Sequence, residues 1–142
     1  MNKVKIITKD GGFIPTYETP NAAGADIRTN EDFTLYPGNR RLVHTGIYLE
    51  LPEGYEAQIR SRSGLALKKG IVVFNSPGTV DSDYRGEVCV ILYHGGSIPE
   101  EFHRGDRIAQ MVIAKHEHAE FEPVDELSST ERGEGGFGHT GK

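Results

Sequence analysis

The stretch that decides the fold class is Arg107-Ile108-Ala109-Gln110-Met111-Val112-Ile113-Ala114-Lys115. It is entered through a Gly-Asp turn, and its β-branched and apolar residues are typical of a strand. Six further runs of this kind recur along the chain, each bounded by Gly, Pro, Asn or Asp. They are Val4–Thr8, Phe33–Tyr36, Leu42–Leu51, Tyr55–Ile59, Ile71–Phe74 and Glu87–Tyr93. Short strands at intervals of roughly ten residues predict an all-β fold: a sandwich, barrel or jelly roll.

One segment, Gly64–Lys69, predicts a short helix. Ser63 precedes it as an expected N-cap, and Gly70 follows it as the expected left-handed residue. The glycine-rich stretch 128–142 holds a single aromatic residue and too little apolar surface to order itself. We therefore expect one β domain over residues 1–127 and a flexible arm over residues 128–142.

Composition excludes several classes of function. The 142 residues suffice for one domain, and the net charge of −5 argues against a nucleic-acid partner, which would need a basic face. No run approaches the roughly 18 apolar residues of a membrane helix. Residues 1–10 lack a signal-peptide pattern, and the single cysteine, Cys89, excludes an internal disulfide. These features predict a cytoplasmic protein with no membrane partner.

Two local patterns could carry chemistry. Residues 60–66, Arg-Ser-Arg-Ser-Gly-Leu-Ala, place guanidinium and hydroxyl groups at a helix start, which suits a phosphate but equally suits a capped helix with surface arginines. Residues 78–87 place Asp81, Asp83 and Tyr84 between strands, where a carboxylate could accept a proton from water. Asp and Gly are also the ordinary residues of a β-hairpin turn, so this pattern alone leaves both interpretations open.

Three weaker signals complete the survey. Gln110 stands among apolar neighbours, so that a buried amide there needs a ligand or a backbone group as its partner. His116 and His118 are spaced to share a strand face, which can suit a metal, although no third ligand is evident nearby. Cys89 lies in an apolar run and is interpreted as packing rather than as a nucleophile.

Together, in this order and spacing, five motifs resemble the trimeric dUTPases over essentially the whole chain. The motifs are Ala23–Asp26, Arg62–Ala66, Gly78–Gly86, Gly105–Gln110 and Arg132–Gly141. The resemblance implies a jelly-roll-like β-barrel and hydrolysis of dUTP to dUMP and pyrophosphate. A deaminase acting on dCTP, and a regulatory protein that binds dUTP and hydrolyses it only secondarily, are the alternatives left open.

The resemblance also implies a role for each motif. Asp81 is expected to be the general base that activates water for attack on the α-phosphorus, and Tyr84 to exclude a ribose 2′-hydroxyl. A hairpin is expected to read uracil, largely through backbone groups, at Asn75, Thr79, Val80 and Cys89. The groups expected to hold the phosphates are Arg62, Ser63, Gly64 and Gln110.

The remaining implications concern the metal, the arm and the assembly. Asp26 is expected to bind waters around a Mg²⁺ that the triphosphate itself chelates. The arm is expected to close over the nucleotide through Arg132, Phe137, Gly138, His139 and Thr140. Each active site of a homotrimer would combine elements of three subunits. Ser61 and His139 depart from the common pattern, which has proline and serine there; the first change is expected to alter loop stiffness, and the second puts a hydroxyl contact in doubt.

Overall fold

The fold is all-β, as the sequence predicts. The computed structural model describes residues 2–142, and these residues form eleven strands and one helix. The strands are β1 (Lys5–Thr8), β2 (Ala25–Arg28), β3 (Phe33–Leu35), β4 (Arg40–Val43), β5 (Ile47–Glu50), β6 (Tyr55–Arg60), β7 (Ile71–Val73), β8 (Gly78–Val80), β9 (Val90–His94), β10 (Glu100–Phe102) and β11 (Arg107–Lys115). The helix α1 spans Ser63–Lys69, between β6 and β7.

The strands form four antiparallel sheets over residues 2–142. The largest has the order β2-β11-β6-β8, a second has the order β4-β9-β7, and two pairs join β1 to β5 and β10 to β3. Most neighbours are therefore distant in sequence, which is typical of β-sandwich topologies. The sheets are not closed by hydrogen bonds into a barrel, so the expected barrel is wrong in that detail while the all-β class is confirmed.

The core lies between these sheets. β9 alternates buried and half-buried residues along its length, as a strand with one face on a core must. The side chains of Ile27, Val43, Ile47 and Leu92 are fully buried, and they come from four different strands. Burial of this one continuous cluster, worth roughly 25 cal/mol per Å² of apolar surface, holds the sheets face to face.

Several predicted strand bounds need correction. The run Leu42–Leu51 is two strands, because residues 44–46 break it. Gly46 has φ 71°, which ends the extended conformation, and a Cβ there would collide with the Lys9 carbonyl oxygen, so this turn requires glycine. The run Glu87–Tyr93 pairs only from Val90 onward. Strands β2, β8 and β10 carry too few apolar residues for sequence periodicity to reveal them.

The short helix is confirmed, but its predicted N-cap is wrong. Arg62 occupies the cap position in an extended conformation, Ser63 is the first helical residue, and no side chain caps the helix. Gly70 adopts the expected left-handed conformation at φ 70°. Within residues 2–142, no helix is long and apolar enough to cross a membrane.

Hydrogen bonds of the Thr45 hydroxyl link the turn between β4 and β5 to the segment before β9. Its side chain is fully buried; its hydroxyl donates to the Val88 carbonyl and accepts a hydrogen bond from the Ile47 N–H at 3.2 Å. A buried polar group that loses its hydrogen-bond partner still carries its desolvation cost, and no hydrogen bond offsets that cost. This hydroxyl is therefore expected to contribute more to stability than the methyl group beside it.

Thr45→Val should lower the free energy of unfolding by at least about 2 kcal/mol, because each buried polar group left unpaired costs about 1–3 kcal/mol. Thr45→Ser is the matched control, since it keeps the hydroxyl and loses one methyl group worth about 1 kcal/mol. Urea unfolding of the three proteins measures the difference. Equal destabilisation by Val and Ser would show that the hydroxyl contributes nothing.

Candidate active site

Three of the five motifs converge at one end of the largest sheet. In β11, Gln110 stands opposite Asp26 of β2 on one side and opposite Arg60 of β6 on the other. Arg62 lies two residues beyond the end of β6, so the same register brings it near Asp26. Sequence positions that are dozens of residues apart thereby form one polar group, which we call the β11 cluster: Asp26, Ser61, Arg62, Arg107 and Gln110.

The β11 cluster surrounds one carboxylate with two guanidinium groups. Asp26 is buried, and its Oδ2 lies 3.2 Å from Nη1 of Arg107 while its Oδ1 lies 3.8 Å from Nε of Arg62. Arg62 also donates a 3.2 Å hydrogen bond to the Arg107 carbonyl. Two guanidinium cations and one carboxylate give the cluster a net positive charge, which suits an anionic ligand. The sequence interpretation assigned no role to Arg107, although it lies in the same motif as Gln110.

Gln110 is half-buried and has a backbone partner. Its Nε2 donates a hydrogen bond to the Ser61 carbonyl at 2.9 Å, so that one N–H of the amide is paired. Gly24 leaves space for the Gln110 amide, since a Cβ at Gly24 would collide with Oε1 of Gln110 and lie 3.0 Å from its Cδ. The glycine of the first motif therefore permits the position of the glutamine of the fourth motif.

Ser61 does more than change loop stiffness. Its hydroxyl accepts a 2.9 Å hydrogen bond from the Val73 N–H, and its own N–H lies 3.4 Å from the Ser76 hydroxyl. A proline at this position could make neither bond. The loop that presents Arg62 is thus tied to β7, and Ser63 and Gly64 stand exposed beside it at the start of α1.

Asp81 and Tyr84 lie far from the β11 cluster. β8 pairs antiparallel with β6, with Val80 opposite Ala57 and Gly78 opposite Ile59, so the chain reaches Asp81 beside the opposite end of β6 from Arg62. Some six residues of extended chain, or roughly 20 Å, separate the two positions along the sheet. The expected hairpin is also wrong, because β8 and β9 on either side of this loop belong to different sheets.

Asp81 is exposed at the edge of an open cavity of about 730 Å³. Arg85 shapes the loop beside it by donating to the Ser82 carbonyl at 2.7 Å and the Tyr84 carbonyl at 3.2 Å. His116 and His118, which follow β11, line the same cavity. These two histidines belong to no group of three potential metal ligands among residues 2–142.

The Tyr84 ring is 46% exposed, and a hydrogen bond fixes its position: the hydroxyl donates to the Glu87 carbonyl at 2.9 Å. Of the other positions expected to read uracil, Asn75 and Thr79 are exposed, whereas Val80 is buried in the core. Val80 can therefore offer a ligand its backbone only, as the sequence interpretation expects.

Cys89 is half-buried and precedes β9 rather than lying within it. Its Sγ lies 3.6 Å from Nδ1 of His44, and that nitrogen lies 2.8 Å from Oε1 of Glu87. Burial, and then the nearby Glu87 carboxylate, raise the pKa of the thiol to about 11. Sequence reasoning missed His44 and Glu87, because His44 lies 43 positions before Glu87 and 45 positions before Cys89.

The C-terminal arm is exposed along most of its length. Arg132 Nε donates to the Gly135 carbonyl at 2.8 Å, and the Phe137 ring is fully exposed in a left-handed backbone conformation with φ 51°. An open cavity of about 460 Å³ in the arm is lined by arm residues alone. They are Arg132, Gly136, Phe137, Gly138, His139 and Thr140. The candidate site residues therefore occupy three separate parts of one chain.

Known proteins match this chain closely. The dUTPase family model matches residues 11–141. A deoxyuridine 5′-triphosphate nucleotidohydrolase of Anaplasma marginale (strain St. Maries) is 55% identical over 99% of each chain. A solved dUTPase of Staphylococcus bacteriophage 80alpha, bound to dUpNHpp, is 27% identical, covers all of this chain and superposes with a TM-score of 0.88.

A second solved structure shows the fold alone. The dUTPase of phage phi11 of S. aureus, in a form described as revealing the coordination of a structural Mg(II) ion, is 22% identical and covers 89% of this chain and 99% of its own, with a TM-score of 0.82. The family match over residues 11–141 and the identity to the Anaplasma relative lead to one conclusion: this chain belongs to the dUTPase family.

Proposed function

We propose that this chain hydrolyses dUTP to dUMP and pyrophosphate, with Asp81 as the general base. The observation that carries the proposal is the exposed Asp81 carboxylate beside a wide cavity, in a chain of the dUTPase family. Asp81 takes a proton from water, the water oxygen forms a bond to the α-phosphorus, and the bond to the departing pyrophosphate breaks. A dUTP analogue bound to the phage 80alpha relative supports the choice of nucleotide.

The β11 cluster is proposed to bind the phosphates. Its guanidinium groups, from Arg62 and Arg107, can make charge-assisted hydrogen bonds to phosphate oxygens, with the Gln110 amide between them and the loop. The Ser63 hydroxyl and the Gly64 N–H are exposed next to Arg62 and can add neutral donors. The positive balance around Asp26 supports this role, because a triphosphate brings several negative charges.

Mg²⁺ is proposed to arrive with the triphosphate as part of the substrate. The donor set fits that role: Asp26 is one carboxylate between two guanidinium groups, which is too little negative charge to bind a naked dication but enough to orient its water ligands. When bound, the ion neutralises charge on the phosphate oxygens. Asp26 would hold its waters, and no protein atom would bind it directly.

β8 and the segments on either side of it are proposed to select the sugar and the base. The hydrogen bond of Tyr84 to the Glu87 carbonyl holds the ring in place, so that a 2′-hydroxyl would meet a fixed obstacle. Backbone groups at Asn75, Thr79, Val80 and Cys89 would read uracil.

The active site is proposed to be shared between the subunits of a homotrimer. A nucleotide that reaches Asp81 cannot also reach Arg62 of the same chain, because roughly 20 Å of sheet separates them. A closed three-fold arrangement brings the Asp81 end of one chain to the Arg62 end of the next. The separation of the two ends is the observation that supports the assembly.

Residues 128–142 are proposed to form a lid over the bound nucleotide. Phe137 is free to stack on a base, and Arg132 and Thr140 can contact phosphates, with the backbone of Gly138 and the His139 imidazole as further donors. Closing a lid excludes bulk water and strengthens the charge interactions inside the site. The deaminase alternative is disfavoured by the 55% identity to a named nucleotidohydrolase, and the cytoplasmic location stays a prediction.

Asp81→Asn should lower kcat by about 10²-fold or more, on the order of what a positioned base contributes, while KM for dUTP changes little. Asp83→Asn is the matched control, because Asp83 lines the same cavity and has no proposed role in proton transfer. Initial rates of pyrophosphate release over a range of dUTP concentrations, with Mg²⁺ in excess, give kcat and KM for both variants. Wild-type kcat in the Asp81 variant would remove this residue from the role of base.

Tyr84→Ala should lower the ratio of kcat/KM for dUTP over UTP about tenfold or more, because the ring that blocks a 2′-hydroxyl is gone. Tyr84→Phe keeps the ring and loses only its hydrogen bond to Glu87, so it should keep most of the preference. Steady-state kinetics with both nucleotides tests this. An unchanged ratio in the Ala variant would assign sugar selection to another group.

Mixing two inactive proteins tests the shared site. One carries Asp81→Asn with an intact arm, and the other is the natural chain cut after Ser129. If Asp81 and the arm reach a site from different chains, random exchange within trimers should restore about a quarter of the sites, one half times one half. Native mass spectrometry confirms exchange. Exchange without recovered activity would mean that both elements come from one chain.

A further inference from the structure

Three residues outside the proposed phosphate site bring an imidazole, a carboxylate and a thiol together. His44 follows β4, whereas Glu87 and Cys89 lie in the segment before β9. One ligand atom of each lies within 4.8 Å of the other two: Nδ1 of His44, a carboxylate oxygen of Glu87 and Sγ of Cys89. We call this group the His44 cluster. Nothing in the proposed reaction requires these three side chains to meet.

The spacing of the nitrogen and sulfur ligand atoms fits a tetrahedral metal ion. With Zn–N near 2.05 Å and Zn–S near 2.3 Å, a tetrahedral angle puts nitrogen and sulfur about 3.5 Å apart. Nδ1 of His44 and Sγ of Cys89 are 3.6 Å apart. The 2.8 Å between Nδ1 and Oε1 of Glu87 must lengthen by about 0.6 Å, which a small rotation of the exposed His44 ring allows.

Backbone hydrogen bonds fix the orientation of the Glu87 carboxylate. Its Oε2 accepts hydrogen bonds from the Gly46 N–H at 2.8 Å and the Thr45 N–H at 3.2 Å, which leaves Oε1 facing His44. Outer partners of this kind orient ligands in metal sites.

The cluster is also open and negatively charged. The His44 side chain is 52% exposed, which provides an entry path and room for a water as fourth ligand. Besides Glu87, the Glu31 carboxylate adds negative charge near His44 and Cys89. Nη2 of Arg41, 3.3 Å from Oε1 of Glu31, neutralises part of that charge. A dication is favoured over an anion in this environment.

We propose that His44, Glu87 and Cys89 bind a thiophilic divalent cation, Zn²⁺ above all, with a water molecule as the fourth ligand. Nitrogen, oxygen and sulfur donors together select such a metal over Mg²⁺, which prefers oxygen ligands alone. Binding displaces the thiol proton of Cys89 to solvent and forms a sulfur–metal bond. The ion would clamp the loop that carries Asp81 and Tyr84 onto the turn between β4 and β5.

Cobalt(II) is a direct probe of this ligand set, because a thiolate ligand gives it an intense near-ultraviolet charge-transfer band. The chain has a single cysteine, so that the band reports Cys89 alone. Titration of the full-length, reduced protein should saturate at one cobalt per chain, and added Zn²⁺ should abolish the band. Zn²⁺ should also raise the Tm, since a ligand that binds the folded state stabilises it.

Variants decide whether the three residues act together. Cys89→Ser should abolish the band, and His44→Gln and Glu87→Gln should each weaken cobalt binding at least tenfold. His103→Gln is the matched control, since His103 is an exposed histidine outside the cluster, and it should bind like the natural chain. Circular dichroism checks that each variant is folded. If Glu87→Gln is unfolded, cobalt binding by His44→Gln tests the proposal, because an exposed side chain can be replaced without unfolding the chain. No thiolate band at saturating cobalt, or binding within twofold of the natural chain in His44→Gln, would overturn the proposal.

Discussion

The register of β11 between β2 and β6 is the constraint on which the arrangement of functional groups depends. Gln110 stands opposite Asp26 and Arg60 at once, and a slip by one residue would turn every side chain of the strand to the other face. The apolar residues Ile108, Ala109 and Met111 are buried and make such a slip costly. The hydrophobic core thereby determines where the polar groups meet.

The same sheet also separates the proposed catalytic groups. β6 carries Arg62 beyond one end, while its partner β8 delivers Asp81 beside the other. A sheet is stiff along its strands, so neither end can bend to reach the other. This stiffness supports the proposed assembly, in which a site built from both ends takes a second chain and the exposed arm with Phe137 extends to a third.

The segment before β9 is held from several directions. Thr45 binds the Val88 carbonyl, Glu87 accepts two backbone N–H groups of the β4–β5 turn, and Tyr84 binds the Glu87 carbonyl. This turn and loop therefore behave as one unit, in which the proposed metal ligands and the proposed sugar-selecting ring share partners.

The sequence by itself determined the all-β class, the bounds of β11, the helix before Gly70 and the five motifs, because each depends on local periodicity or on residue types at short spacing. Only the tertiary structure decided that residues 42–51 are two strands, that Arg62 and not Ser63 occupies the N-cap position of the helix, and that β8 and β9 belong to different sheets. It alone joined His44 to Cys89. Contacts across dozens of residues depend on strand pairing, and pairing is chosen by the whole core rather than by any one segment.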